Sequence, residues 1–258
     1  MLQPIPERVP EIQDRRLDHS YRIKDNGHKD LSLTNTIGDA GETFQGDTVI
    51  DLACNCGEKT FELSKYFKSR RVIGVDIDPE SIAIAQRKYA PLVTNLEFHV
   101  ADAYELSRHF SDIDLIMCQD AIHHFDDLDR LTAEVAATLR PEGHFMGRDF
   151  DRTRIYEVLE KYKQTSFYER LLELRAEKTD IEFMTYIVKK GLLGMKRKEV
   201  LLVMSLMASY THDEFAESLT RNGFKGAIHK GGEGTYNFAV QKPELTFLQK
   251  LKRKIKKS

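Results

Sequence analysis

The chain has 258 residues, 41% of them hydrophobic, which is enough to close one substantial core, and a single large α/β domain suits that length better than two small ones. A formal net charge of -2, with acids and bases intermixed, argues against the broad basic field that a nucleic-acid partner needs. Three cysteines, of which Cys54 and Cys56 stand too close for an unstrained mutual disulfide, argue against a disulfide scaffold and for a reducing compartment.

The segment before Thr48 carries Pro4, Pro6, Glu7, Pro10 and Glu11 where a secretory signal needs an apolar run. The most apolar stretch, around Val200–Ala208, is far shorter than the ~20 residues of a membrane span, so a cytoplasmic protein is expected. From Thr48 to Arg148 short β-rich runs alternate with amphipathic segments, the rhythm of βαβ units in a parallel sheet. The pattern predicts strands over Thr48–Ala53, Arg71–Asp76, Leu96–Ala101, Ile113–Cys118 and His144–Arg148. Between them, apolar residues at helical spacing predict helices over Lys59–Phe67, Pro79–Tyr89 and Leu128–Leu139. Pro79 suits a first helical turn, Asp126 or Asp127 an N-cap, and Pro141 marks a stop.

After Arg148 the strand alternation disappears, and Asp151–Tyr210 reads as a helical insert. Its aromatic residues and methionines, Phe167, Tyr168, Phe183, Met184, Tyr186 and Met204, suit either a lid over a sheet edge or packing core and a homodimer surface. The α/β rhythm then resumes, with a helix over Thr211–Asn222, Gly223 as its C-terminal residue, and a hairpin of Lys225–Ile228 with Tyr236–Gln241. This gives an N-terminal cap (1–47), a Rossmann-like core (48–150), the insert (151–210), completion of the core (211–242) and a basic tail (243–258). The tail places Phe247, Leu248, Leu251 and Ile255 on one helical side among lysines, which suits weak contact with an anionic membrane surface or a solvated end.

The strongest chemical signal is Val49-Ile-Asp-Leu-Ala-Cys-Asn-Cys-Gly57, an apolar strand that ends in small residues at the mouth of a helix. In a doubly wound sheet that turn is where a nucleotide-like ligand meets backbone amides. Ala53, Asn55 and Gly57 take the small positions, and Asp76 follows at about the 20-residue interval that lets an acid reach ribose hydroxyls. Ala101-Asp102-Ala103 closes the third strand, with a carboxylate able to accept from an exocyclic amine, and Cys118-Gln-Asp-Ala-Ile-His-His-Phe125 closes the fourth.

The ordered blocks Asp51-x-Ala-x-Asn-x-Gly57, Gly74-Val-Asp76, Asp102-Ala103, Ile122-His-His-Phe125 and Leu139-Arg-Pro-Glu-Gly143 resemble those of class I S-adenosylmethionine-dependent methyltransferases that act on small molecules. The resemblance covers roughly Thr48–Arg148, and Tyr210–Phe215 with Asn222-Gly-Phe224 is similar to the family's final helix and strand. It implies a Rossmann-like, doubly wound, mostly parallel seven-stranded sheet with a C-terminal antiparallel hairpin, which binds S-adenosylmethionine and releases S-adenosylhomocysteine. It also implies that Ala53, Asn55 and Gly57 line the methionine and ribose portion, Asp76 holds the ribose hydroxyls and Ile77 packs on adenine. Asp102 would accept from the adenine amine, Ala103 would contribute backbone, Asp120 would lie by the methionine end, and Asp51 would order the turn. The family's turn is commonly glycine-rich, and Ala53 and Asn55 depart from that.

His123 is the candidate general base by location, against a structural reading of His123 and His124 as a strand-end pair with one ring packed and one solvated. A metal site from Cys54, Cys56, His123 and His124 matches none of the usual zinc spacings, and none is expected. Two rivals stay open. A nicotinamide-dependent dehydrogenase would want a third glycine where Thr60 stands, and a non-catalytic binder of S-adenosylmethionine or S-adenosylhomocysteine would share the cofactor residues without the chemistry. The expected reaction is in-line methyl transfer to a small-molecule acceptor whose reacting atom the sequence leaves open.

Overall fold

The computed structural model describes residues 46–67, 71–154, 157, 205–232 and 234–244. The N-terminal cap apart from its last residues, nearly all of the helical insert with its aromatic and methionine residues, and the basic tail from 245 lie outside the described residues. Among the described residues no helix is long and apolar enough to cross a membrane.

Strands β1 (Thr48–Leu52), β2 (Arg71–Asp76), β3 (Leu96–Val100), β4 (Ile113–Gln119), β5 (Leu139–Phe150), β6 (Lys225–Lys230) and β7 (Thr235–Gln241) form one sheet in the order β3-β2-β1-β4-β5-β7-β6. The pairs from β3 to β5 are parallel, while β7 runs antiparallel between β5 and β6. Valine, isoleucine and leucine dominate β1, β2 and β4, as strands covered on both faces require. One face packs against α1 (Glu58–Tyr66) and α2 (Pro79–Tyr89) through Leu63, Phe67, Ile82, Ala85 and Tyr89. The other packs against α3 (Leu106–His109), α4 (Leu128–Thr138) and α5 (His212–Arg221) through Leu106, Leu131, Val135, Phe215 and Leu219. The doubly wound, mostly parallel seven-stranded sheet with its closing antiparallel hairpin is therefore present.

Helix ends follow the local chemistry. Asp78 accepts from Ser81 N (2.7 Å) ahead of Pro79, Asp127 accepts from Arg130 N (2.9 Å), and Thr211 with Glu214 forms a capping box. Gly223 ends α5 with φ 81. The short turn Ala103–Glu105 and α3 escape the pattern reading, because four residues cannot display a helical period.

The largest difference lies in β5, expected as His144–Arg148 and observed as Leu139–Phe150. Its leading residues pair once, Leu139 opposite Ile113, and then shift register before Leu115 meets His144. Pro141 donates no hydrogen bond and Glu142 has φ 63, so the strand bulges there before entering the ladder. At its far end the antiparallel partner β7 extends pairing as far as Phe150 with Thr235. Asp114 ties the sheet's lower edge, accepting from Asp47 N and Thr48 N, both at 2.9 Å, and from Arg140.

Gly147 marks the closest approach of β5 to its neighbour: a Cβ built there would sit 1.8 Å from the carbonyl oxygen of Cys118. Since backbone cannot give way as a flexible side chain can, Gly147→Ala is expected to destabilise the fold by roughly 3 kcal/mol, at the upper end for overpacking. Urea unfolding of the two proteins measures this, and equal midpoints would show that the strands separate at little cost.

Candidate active site

The polypeptide between β1 and α1 turns through three left-handed residues, Ala53 (φ 60), Asn55 (φ 50) and Gly57 (φ 80). Asparagine visits this region readily and glycine at no cost, whereas alanine carries strain of about 1–2 kcal/mol. The glycine-poor turn thus adopts the left-handed backbone despite its side chains. Backbone bonds from Cys54 N to Val75 O and from Gly57 N to Cys54 O, both 3.0 Å, hold it. Gly57 also has no room for a side chain, because a Cβ would lie 2.5 Å from the Phe98 ring and 2.8 Å from Ala85 Cβ.

Below the turn, the buried carboxylate of Asp51 accepts from Thr60 Oγ1 at 2.6 Å. This contact links the end of β1 to the first turn of α1. Thr60 occupies the position where a dinucleotide-binding turn needs its third glycine, and its hydroxyl is committed to Asp51. Burial, only partly offset by the Thr60 bond, pushes the Asp51 carboxyl up to about 6.

At the tip of β2, Asp76 accepts from Asn55 N through Oδ2 (2.8 Å) and from Asp78 N through Oδ1 (2.9 Å). Each oxygen keeps a second lone pair, so the same carboxylate, already oriented by backbone, can still accept two hydroxyls. Ile77 beside it is 66% exposed, a large apolar side chain left open at the sheet edge. Ala101 N donates to Asp76 O at 3.0 Å, which brings the β3 tip alongside. There Asp102 uses Oδ1 to accept from Tyr104 N (2.8 Å), and Ala103 is buried. The tips bearing Asn55, Asp76 and Asp102 are thus brought together, the first two by a direct bond.

The tip of β4 stands across β1 from these and is built differently. Asp120 (φ 53) accepts from Lys59 Nζ at 2.9 Å and from Arg148 Nε and Nη2 at 3.0 and 3.2 Å. Burial by itself would raise its carboxyl, and the two cations together outweigh that and hold it below the ordinary range. The Asp120 side chain, expected at the methionine end, therefore carries two basic neighbours that sequence reading missed. Arg148 had left a signal, since a basic residue within an interior strand is unusual.

His123 is buried and His124 exposed, the packed and solvated pair expected of a strand end. The partner of His123 comes from β5: Asp149 Oδ1 lies 2.7 Å from Nδ1, and Oδ2 accepts from His123 N at 3.0 Å. Nothing in the spacing of residues 123 and 149 announces that pair, because only sheet register brings them together. Tyr104 is a further unpredicted element, donating to Asp126 Oδ1 (2.7 Å) and accepting from Asp127 N (2.8 Å), so the loops after β3 and β4 are tied. Among the described residues no group of three or more His, Cys, Asp or Glu could hold a metal ion.

A doubly wound sheet whose order reverses between β1 and β4, with a tight turn and two acids at adjoining tips, defines the class I methyltransferase architecture. Residues 49–143 match the methyltransferase domain family. Similar proteins include the trans-aconitate 2-methyltransferase of Deinococcus radiodurans, 36% identical over 95 residues, covering 37% of this chain and 34% of that one. The fatty-acid O-methyltransferase of Mycolicibacterium smegmatis is 27% identical over 105 residues, covering 41% of this chain and 38% of that one. The chain therefore aligns with little more than a third of the length of these two relatives. The fold is similar to the plantazolicin methyltransferase BpumL in complex with S-adenosylhomocysteine, with a TM-score of 0.64, 15% identity, and coverage of 89% of this chain and 90% of that one. It is also similar to the PH0226 protein of Pyrococcus horikoshii, with a TM-score of 0.60, 24% identity and coverage of 88% and 99%.

The raised carboxyl of Asp51 has a pH consequence. Stability from the protonated form is fully present below the unfolded value near 3.8 and is lost as pH rises towards about 6. Asp51→Asn removes the titrating group, so relative to the parent it should gain up to roughly 3 kcal/mol between pH 4 and pH 7. Chemical denaturation of both proteins across that range checks the sign, and a constant difference would contradict the burial effect.

Proposed function

We propose that this chain transfers the methyl group of S-adenosylmethionine to a small-molecule acceptor. The observation that carries the reading is the joint between Asn55 and Asp76, where a carboxylate aimed by two backbone N–H groups keeps lone pairs for a ribose beside an exposed Ile77. In this reading Ala53, Asn55, Gly57 and Asp76 hold ribose and methionine, Ile77, Asp102 and Ala103 hold adenine, and Asp120 stands at the methionine end. Trans-aconitate and a fatty acid, named for two similar proteins, are small molecules, which supports an acceptor of that size. When bound, the cofactor supplies an electrophilic methyl on a sulfonium that leaves as a neutral thioether, so the protein's task is chiefly alignment and exclusion of water.

The full-length protein should be stabilised against heat by S-adenosylhomocysteine and not by NAD. Asp76→Ala should weaken S-adenosylhomocysteine roughly 100-fold, the loss of two hydrogen bonds to a charged acceptor. Stabilisation by NAD alone would return the chain to the dehydrogenases. Transfer of label from the cofactor into a small-molecule extract distinguishes an enzyme from a non-catalytic binder.

His123 is proposed as the general base for an acceptor that must lose a proton, with Asp149 fixing the proton on Nδ1 so that Nε2 is the basic nitrogen. His123→Ala should lower turnover by roughly 100-fold or more while leaving S-adenosylhomocysteine affinity near the parent's. Equal turnover would reduce the pair to a structural clamp.

A further inference from the structure

Gln119 is 8% exposed, and among the described residues neither its amide nitrogen nor its amide oxygen has a hydrogen-bond partner. Native folds rarely leave a buried amide unanswered at both ends, and the exceptions cluster where a ligand supplies the missing partner. The placement is equally specific. Gln119 is the last residue of β4, and in parallel register it stands beside Arg148 of β5. Alternation along β4 puts it on the face of Leu115 and Met117, the face covered by α1. From α1, Lys59 reaches the same strand tip, so two cations surround the single carboxylate of Asp120. The tips of β1, β2 and β3, which serve the adenosyl end in the reading above, lie on the far side of β1 from β5. An acceptor must approach the reactive end from the β4 and β5 side.

We infer that Gln119, with Arg148 beside it, forms the recognition site for the acceptor, and that the acceptor carries a carboxylate. Gln119 Nε2 donates to a carboxylate oxygen, and the neighbouring guanidinium and ammonium groups supply the positive field that offsets the anion's desolvation. Gln119 Oε1 accepts from a hydroxyl or N–H on the same molecule. The inference rests on the methyltransferase reading but makes its own demand, namely a carboxylate site that exists when the cofactor site is full.

The test uses the full-length protein saturated with S-adenosylhomocysteine and titrated with malate, succinate and decanoate by thermal shift and calorimetry. At least one of these carboxylates should bind the parent. Gln119→Leu and Gln119→Glu should each weaken that binding roughly 10-fold or more while leaving S-adenosylhomocysteine affinity unchanged. Without any ligand, Gln119→Leu should melt above the parent, because an apolar side chain of similar size carries no unanswered amide. Failure of all three carboxylates to bind the parent overturns the inference, as does binding that survives in both variants. A ligand-free leucine variant that melts well below the parent overturns it too, since the amide would then be satisfied within the fold. Loss of S-adenosylhomocysteine affinity with methylthioadenosine affinity intact would assign the amide to the cofactor's amino-acid end and likewise overturn it. A parent that binds no S-adenosylhomocysteine fails at the earlier step, in the methyltransferase reading itself.

Discussion

The hydrogen bond from Thr60 to the buried carboxylate of Asp51 pins the first turn of α1 to the central strand, and the turn at the sheet's C-terminal edge depends on that junction. Between these two residues the backbone passes through the left-handed region at Ala53, Asn55 and Gly57, a path that would not persist without anchors at both ends. The anchors come from neighbours as well: Val75 O receives Cys54 N, and Asp76 receives Asn55 N. Phe98 completes the arrangement from β3, its ring filling the space over Gly57 and Gly74 that side chains would otherwise take. A buried carboxyl pushed up to about 6 opposes stability at neutral pH, so the turn is held at a thermodynamic cost that a purely structural strand end would not carry.

The sheet edge divides into two chemical halves at the reversal between β1 and β4. On the β1–β3 side the polar groups answer one another through backbone, and Ile77 is a large apolar side chain left open there. On the β4–β5 side the groups are polar and side-chain borne: Lys59, Asp120 and Arg148 form an ionic cluster, and His123 pairs with Asp149. A partly exposed ionic cluster contributes modestly to stability, because solvent and desolvation offset part of its attraction. Its value lies in fixing orientation, and the cluster and the pair both orient groups at the end of the sheet where methyl transfer is proposed. Gln119 sits between those roles, a buried amide left unanswered among the described residues.

Local chemistry made much of this legible. Pro79 behind Asp78, Thr211 with Glu214, and Gly223 signal helix boundaries through capping rules that need no tertiary context, and each stands where those rules put it. The apolar runs of β1, β2 and β4 read as interior parallel strands because both faces must be covered. The placement of Asp76 and Asp102 was legible because Asp76 ends β2 and Asp102 follows β3, and the ends of parallel strands share one edge. The leading part of β5 was not legible, because a bulge around Pro141 and Glu142 breaks the alternation that marks a strand.

What the sequence determined by itself is the type and order of the longer elements and the edge at which Asp76 and Asp102 stand, since propensity, capping and periodicity act over a few neighbouring residues. Tertiary structure decided which distant residues meet: β7 between β5 and β6, Lys59 and Arg148 on Asp120, Asp149 on His123. Those contacts depend on strand order and register, which arise from packing the whole sheet. A one-residue slip would exchange the faces that Arg148 and Asp149 now take, and no local rule forbids it.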